Sequence, residues 1–383
     1  MRRLRTASTR RLVTIVAVLV AAVATAGVAS AALTSSPKPA PKPLDRALYD
    51  AVNAKPVEGV TARVHFTNNL LPSGSLPENQ ASPVLTGADG RLWLTNDGKV
   101  RLELQSDGGD AQLVADGERY MLYDATTKTA YVGRMNAKKS TSPPDKQPSL
   151  ANIQDGLANL TKSWTLSGAQ PSTTAGRPTY TVRIAPKDDG GLLGAAEVAW
   201  DAVRGVPLRA AIYAQGSDKP VLEVEATDVH YGKIPAGKVT ATPPAGAKVT
   251  EIDPAGGVDA QGRPTHVEGV ANVQKQLSFK LGAPQTLAGL PRRSVVLVDH
   301  GGAGKGALVR YGSGLGQILV FQQQGKPGAT SFRLPQVNID GATGQEIATP
   351  LGTLLTFNRD GVNYIVAGSI PPVAAENAAR DLR

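Results

Sequence analysis

The segment RLWLTNDGKVRLELQ, residues Arg91–Gln105, alternates aliphatic with mostly polar or aromatic side chains on both sides of a short polar turn. Alternate side chains of a β-strand point to opposite faces of a sheet, so this pattern predicts two strands joined at Asp97-Gly98. Each strand then has one apolar face, which must pack on the protein's own core or on a bound apolar molecule. The aliphatic positions are Leu92, Leu94, Val100, Leu102 and Leu104.

The same alternation continues from Gly59 to about Tyr231, where short apolar runs are separated by turn-forming residues. Strands that follow one another through tight turns pair antiparallel, so this region predicts an antiparallel sheet of roughly ten strands. Two amphipathic segments, at 44–54 and 149–160, predict helices that cover part of one face. The predicted strands occupy residues 60–68, 84–95, 99–105, 111–115, 119–124, 129–133, 163–167, 179–185, 196–200, 208–213 and 221–229.

A second region follows the Gly/Pro-rich segment 251–265, whose composition is typical of a linker. Residues 266–383 begin with a predicted helix near 266–277 and end with another near 372–382. Alternating runs between these helices predict a smaller α+β domain. Its predicted strands occupy residues 294–299, 307–311, 317–322, 353–358 and 362–368.

The N-terminal region predicts export. Arginines between Arg2 and Arg11 precede an apolar run at 12–33 that contains the small-residue triplet Ala29-Ser30-Ala31, the pattern of a cleavable signal peptide. The run is also long enough to span a bilayer, so residues 1–33 are either a signal peptide or an uncleaved membrane anchor. The Pro/Lys-rich segment 34–43 predicts an extended spacer. We expect the body to be secreted or anchored on the outer face of the cytoplasmic membrane.

The charge distribution argues against nucleic-acid binding. Although the formal net charge is +9, seven of the 41 basic residues precede the first acidic residue, Asp45, which leaves 34 basic against 32 acidic residues from Asp45 onward. A folded part so near neutrality lacks the basic surface that polyanion binding requires. The chain has no cysteine, so its fold uses neither disulfides nor thiolate metal sites.

Catalytic patterns are weak, and we predict neither enzymatic activity nor a cofactor or metal. Ser35 and Lys38 have S-x-x-K spacing but lie in the Pro-rich spacer, where no oxyanion hole forms. The glycine-rich segment 299–312 has Gly306 where a phosphate loop needs Ser or Thr, and a strand follows it instead of a helix. The four histidines have no metal-ligand spacing. A hydrolase therefore remains a distant third class of function.

Residues 44–250 resemble the LolA-like lipoprotein carrier superfamily, which includes periplasmic lipoprotein carriers, an envelope-stress regulatory protein and lipid-binding envelope proteins. The resemblance lies in GRLWLTNDGKVRLELQSDGGDAQLVADGERYMLYDATTKTAYVGRM from Gly90, with its Leu92-Trp93 strand and Arg101. It continues in VAWDAVRGVPLRAAIY from Val198 and in KIPAGKVTATPPAGAKV from Lys233. Residues 266–383 are similar to an uncharacterised domain that follows such half-barrels in exported proteins, through VEGVANVQKQLSF and LLTFNRDGVNYIVAGSIPPVAAENAARDL.

The resemblance implies an α+β fold: a mainly antiparallel β half-barrel with a helical lid, and an apolar cavity between sheet and helices that takes acyl chains. The lid would be the helices at 44–54 and 149–160. Carriers of this family have an arginine shortly after the Leu-Trp strand, whereas this chain has Asn96, whose amide cannot form the charge-assisted fork of an arginine. Further cavity-lining candidates are Val64, Phe66, Leu122, Val182, Ile184, Leu208 and Ile212, whereas Trp93 is predicted to lie on the opposite face.

We therefore expect an exported protein that binds a lipid or a lipoprotein acyl chain. Burial of a methylene is worth about 0.8 kcal/mol whether its neighbour is protein or lipid, so apolar pattern alone does not separate core from ligand site. The number of strands separates core from ligand site better, because a helix about 10 Å wide covers only two or three strands spaced about 4.8 Å apart. Two helices therefore leave part of the apolar face uncovered. The alternative is an envelope-stress sensor that contacts an anti-sigma factor or another membrane regulatory protein, which the two-domain layout favours.

Overall fold

The computed structural model describes residues 38–71, 82–134, 148–187, 191–252, 267–299, 304–325 and 334–382. The predicted signal or anchor and most of the spacer lie outside these residues. The described chain forms two compact units: the first holds the residues from 38 to 252 apart from 70–71 and 191–193, which belong with the second. Within the described ranges, no helix is both long and apolar enough to cross a bilayer.

The first unit is built on a mostly antiparallel sheet that curls into a half-barrel. The strands are β1 Gly59–Asn68, β2 Ala88–Thr95, β3 Val100–Ser106, β4 Gly109–Ala115, β5 Arg119–Asp124, β6 Thr129–Arg134, β7 Trp164–Leu166, β8 Gln170–Thr174, β9 Arg177–Pro186, β10 Leu193–Asp201, β11 Pro207–Ala214, β12 Pro220–Tyr231 and β13 Lys248–Ile252. In the described residues the order of strands across the sheet is β13-β6-β5-β4-β3-β2-β1-β12-β11-β10-β9-β7, with β8 also paired to β9. The pair β13–β6 is parallel.

The helices of this unit begin where the sequence supplies a start signal. Helix α1 (Leu44–Val52) follows Pro43, and helix α3 (Leu150–Leu160) begins with a capping box in which Ser149 and Asn152 bond each other's backbone N–H. Helix α2 (Pro83–Thr86) is one short turn with a proline at its start. A short 3₁₀ turn at Ala236–Lys238 follows the last strand of the meander.

The sequence prediction was wrong in two places here. Residues 84–86, predicted as the start of a strand, form α2, because Pro83 favours the first helical position and Gly87, with φ +83°, ends the turn. Strands β8 and β13 were not predicted, since QPSTT and KVTEI have too few alternating apolar residues to stand out from a loop. The strand pairing of the predicted β2–β3 hairpin is confirmed, with Leu92 opposite Leu102 and Leu94 opposite Val100.

The sheet has two faces, which we name after the neighbours Leu92 and Trp93. The pairs from β1 to β6 place all five aliphatic residues of the β2–β3 hairpin on the Leu92 face. The buried cluster on this face includes Val60, Ala62 and Val64 of β1. Trp93 lies on the opposite face, as the alternation predicts.

The second unit is an antiparallel sheet in the order β14-β15-β16-β17-β21-β20-β19-β18, with two helices packed on its buried face. Helices α4 (Val270–Gln274) and α5 (Pro372–Asp381) contribute Val273, Ala375, Ala378 and Ala379 to the core. The prediction missed β18 and β19, because GATGQEIAT is largely polar. The strands are β14 Thr286–Leu287, β15 Leu290–Asp299, β16 Lys305–Tyr311, β17 Ile318–Gln324, β18 Gln336–Ile339, β19 Ala342–Thr349, β20 Gly352–Arg359 and β21 Val362–Gly368.

Candidate functional site

A row of apolar side chains crosses the Leu92 face at right angles to the strands. Direct pairing joins Leu92 on β2 to Leu102 on β3, and Leu102 to Leu113 on β4. Leu113 is opposite Leu122 on β5, which is opposite Tyr131 on β6. Paired residues of neighbouring strands point to the same face, so these five side chains form one continuous strip. We call them the apolar row.

The apolar row is open to solvent at its outer part. Leu92 and Leu102 are half-buried and pack against the cluster around Val60 and Ala62. Leu113 and Tyr131 are 41% and 37% exposed, and Leu122 between them is half-buried. A soluble sheet ordinarily covers such a strip with a helix or a loop, so its exposure marks a surface able to receive an apolar ligand.

The other end of the same face is covered by residues 40–51. The Tyr180 hydroxyl on β9 donates a 2.6 Å hydrogen bond to the Ala40 carbonyl, and the Lys42 ammonium lies 5.9 Å from the Tyr180 ring. Ala47 and Ala51 of α1 are buried. The covering segment therefore lies near β9 and the β10–β11 hairpin and away from β4 to β6.

The structure divides the sequence-predicted lining residues into two groups by burial. Six of these residues are half-buried and six are buried. Both groups lie on the Leu92 face, where the strand pairings place them. The Glu197–Arg209 ion pair lies on the opposite face and agrees with this placement, because adjacent residues of a strand point to opposite faces. The half-buried residues are Leu92, Val100, Leu102, Phe66, Leu122 and Ile212, and the buried ones are Leu94, Leu104, Val64, Val182, Ile184 and Leu208.

The protein buries the opposite side of the same strands. Val114 and Met121, on the Trp93 face of β4 and β5, are almost fully buried beneath the segment that contains Ala241 and Ala247. Asp116 accepts the Ala241 backbone N–H at 3.4 Å and so holds this segment in place. Burial opposes ionisation of Asp116, but backbone hydrogen bonds from Arg119 and other neighbours outweigh it and lower the pKa of its carboxyl.

Two features border the apolar row along the strands. On one side the Tyr120 ring lies across Gly133, where a Cβ would come within 2.3 Å of the ring. On the other side α2 packs against β3 and β4, where Leu104 and Ala111 are buried. The row is therefore bordered by Tyr120 over β5 and β6 and by α2 over β3 and β4.

Helices α1 and α3 lie against each other near this face. Gln154 of α3 donates a 2.7 Å hydrogen bond to Asp45 of α1, and this bond together with the Arg46 backbone N–H lowers the pKa of Asp45. Although α3 has apolar Ile153 and Leu157 on one side, none of its residues is buried. The helix pair therefore retains apolar surface of its own.

Sequence reasoning did not identify Leu113 and Tyr131 as lining residues. Their neighbours Val114 and Val132 are equally apolar, so the alternation in AQLVA and TAYVG gives no sign of which face stays open. The register with Leu102 is the signal that places them in the row. Asn96 is exposed in the β2–β3 turn.

The second unit contains an open cavity of about 630 Å³. Its wall mixes apolar Phe279 and Val362 with charged Lys280 and Arg359. The Arg359 guanidinium already donates to the carbonyl oxygens of Leu382 and Ile339. Because those donors serve the protein's own backbone, this cavity is a weaker candidate than the apolar row.

Comparison with known proteins gives structural likeness only. No family model and no curated protein matches the chain. The crystal structure of MucB is similar with 16% sequence identity and a TM-score of 0.42, over 88% of this chain and 96% of that one. The Pseudomonas aeruginosa MucA/MucB complex is similar with 17% identity and a TM-score of 0.39, over 88% of this chain and 94% of that one. A putative outer membrane lipoprotein-sorting protein domain from Vibrio parahaemolyticus is similar with 11% identity and a TM-score of 0.20, over 52% of this chain and 96% of that one. Likenesses this low carry no functional assignment.

Proposed function

We propose that the first unit binds an acyl chain or a chemically similar apolar ligand along the apolar row, and that it does so outside the cytoplasm as a LolA-like, non-enzymatic binding protein. The observation that carries the proposal is the half-exposed strip Leu102, Leu113, Leu122 and Tyr131. Leu113 and Tyr131 stay exposed on this strip, whereas the segment around Ala241 covers Val114 and Met121 on the other side of β4 and β5.

The energetics favour a hydrocarbon ligand. Covering apolar surface gains about 25 cal/mol for each Å² removed from water. A bound chain would cover Leu113 and Tyr131 without displacing protein, since neither side chain is buried. The helix pair α1–α3 has further half-buried apolar side chains in Ile153 and Leu157.

The test is recovery of ligand from the native source. Full-length protein is extracted from its own membrane under gentle conditions, and co-purifying lipid is identified and quantified by mass spectrometry. We expect lipid acyl chains in near-stoichiometric amount, and less when Leu113 is replaced by glutamine. Val203→Gln is the matched control, because Val203 is 68% exposed at a hairpin away from the row. Absence of lipid from the native protein, together with no uptake of fatty acid after delipidation, would rule the proposal out.

A second candidate function is regulatory: a sensor that contacts an anti-sigma factor or another membrane regulatory protein. The observation that favours it is the second unit, which has its own core around Val309 and Leu355 and which a pure carrier does not need. Protein–protein crosslinking in the native membrane tests it. Specific capture of a membrane regulatory protein, lost on deletion of that partner, would support this function, and its absence would favour the carrier function.

A further inference from the structure

The apolar row changes character from one end to the other. At the inner end Leu92 is half-buried and continues into buried Ala62 and Val229 of β1 and β12. At the outer end Tyr131, 37% exposed, is paired with Thr250 of the edge strand β13. The row therefore runs from a dry aliphatic end to an end that carries two hydroxyl groups.

The outer end also carries exposed lysines. Lys248 precedes Thr250 by two residues on the same face of β13, and its side chain is exposed. Among the described residues, its ammonium has no hydrogen-bond or ion-pair partner. Its backbone N–H is bonded at 2.8 Å to the carbonyl of Lys128, a second exposed lysine. Asp124, the acidic residue on this face, lies two strands away from Lys248, beyond Thr129, and bonds the Thr126 backbone.

The length of the row sets the length of the ligand. From Leu92 on β2 to Tyr131 on β6 there are four strand spacings of about 4.8 Å, or about 19 Å along the sheet. An extended hydrocarbon advances about 1.25 Å per carbon, from C–C bonds of about 1.5 Å at near-tetrahedral angles. The row therefore matches a chain of about 15 carbons.

Resting on the proposed function, we infer that the ligand is a single-chain amphiphile with an anionic head group. The head lies at Lys248, Tyr131 and Thr250, and about 15 carbons extend across the strands towards Leu92. A carboxylate and a phosphate share the chemistry that this end recognises, so a fatty acid and a lysophospholipid are the two sources. The row is one side chain wide on each strand, which matches the width of a single hydrocarbon chain.

Chain position is tested by photocrosslinking with the full-length protein in lipid nanodiscs. One fatty acid carries a diazirine at its terminal carbon and another carries it next to the carboxylate. We expect the terminal probe to attach to the peptides that contain Leu92 and Leu102, and the head-proximal probe to attach to those that contain Tyr131 and Thr250. Reversed or evenly scattered attachment within the half-barrel would overturn this inference and leave the proposed function standing. Attachment to no residue of the half-barrel would overturn both.

Length and charge are tested by competition against the terminal probe. Referred to the free aqueous concentration of each competitor, saturated fatty acids should gain affinity by up to about fourfold for each added carbon and then level off near 15 carbons. Fatty alcohols should compete about two- to fivefold more weakly than acids of equal length, as expected for loss of an exposed ion pair, and Lys248→Met should remove that difference. Lys162→Met, at an exposed lysine beside α3, is the control. A gain that continues unchanged to 20 carbons, or equal competition by acids and alcohols, would contradict the assignment.

A lysophospholipid of matched chain length separates the two sources. Stronger competition by the phosphate head than by the carboxylate would assign the site to a lysophospholipid, and the reverse would assign it to a fatty acid. Failure of both to compete would overturn the head-group assignment.

Discussion

Gly205 lies directly against Ala51: a Cβ on Gly205 would be 2.3 Å from the Ala51 carbonyl oxygen. Gly205 closes the β10–β11 hairpin with φ +70°, and Ala51 is in the last turn of α1. The absence of a side chain at position 205 thus allows the C-terminal end of α1 to settle on the sheet. This contact fixes which part of the Leu92 face is covered.

Gly205→Ala should displace α1 and lower the free energy of unfolding by more than backbone strain alone. Gly216→Ala is the matched control, since Gly216 has nearly the same φ, +72°, but open space around it. Strain from positive φ costs about 1–2 kcal/mol in both variants. Overpacking adds about 1–3 kcal/mol at position 205 alone. Denaturant unfolding measures both, and equal losses would show that the contact with Ala51 is unimportant.

A second prediction concerns the ion-pair network on the Trp93 face. Arg209 bonds Glu197 at 2.8 Å and Glu223 at 2.6 Å, and Tyr213 donates to Glu197 at 2.8 Å, with the ionic side chains mostly buried. Arg209→Met leaves two carboxylates without their shared cation. We expect it to cost about 1–3 kcal/mol in the free energy of unfolding. A loss no greater than that of Arg293→Met, at an exposed arginine, would contradict the role of the network.

The same network predicts a dependence on pH. Burial acts to raise the pKa of Glu197, but hydrogen bonds from Arg209, Tyr213 and Arg183 outweigh it and lower that pKa below 4.5. A group with a lowered folded-state pKa stabilises the fold above its unfolded pKa and loses that contribution as the pH falls through the folded value. Wild-type protein should therefore lose stability on acidification below about pH 4.5. Glu197→Gln should lose less over that range, and Glu58→Gln, at an exposed position, should behave as wild type.

Glu346 in the second unit predicts a pH dependence of stability with the opposite sign. It is 7% exposed, and one of its carboxylate oxygens has no hydrogen-bond partner. Burial, and after it the charge of Glu376, raises the pKa of Glu346. A raised carboxyl pKa means that stability falls as the pH rises from the unfolded towards the folded value.

Glu346→Gln should therefore stabilise the second unit near neutral pH by about 1 kcal/mol or more. Hydrogen exchange of the β19 and β20 amides, compared between pH 4 and pH 7 after correction for intrinsic rates, measures the effect. Gln345→Glu, at the adjacent position of β19, is the control. A Glu346→Gln protein that is less stable than wild type at pH 7 would contradict the assignment.

Sequence alternation was sufficient for the antiparallel sheet but not for the candidate site. Strands such as Arg119–Asp124 and Val362–Gly368 were predicted to the residue, because an Asp-Gly pair shortly before each apolar run marks where the strand begins. Alternation does not show which face is buried where both faces are apolar, as at Leu113 and Val114. Leu113 is 41% exposed, whereas Val114 is fully buried. The difference is made by the distant segment around Ala241, which no local pattern links to β4.

The most direct test of the central claim is the affinity of a fluorescent fatty acid for full-length protein in nanodiscs, measured for wild type, Leu113→Gln and Val203→Gln. The fatty acid partitions into the bilayer equally in all three samples, so differences in affinity report on the protein. Leu113→Gln should weaken binding about tenfold, corresponding to about 1.4 kcal/mol of lost apolar contact, and should leave the unfolding temperature unchanged. Val203→Gln should bind as wild type does. Equal affinity in all three proteins would contradict the claim that the apolar row is a ligand site.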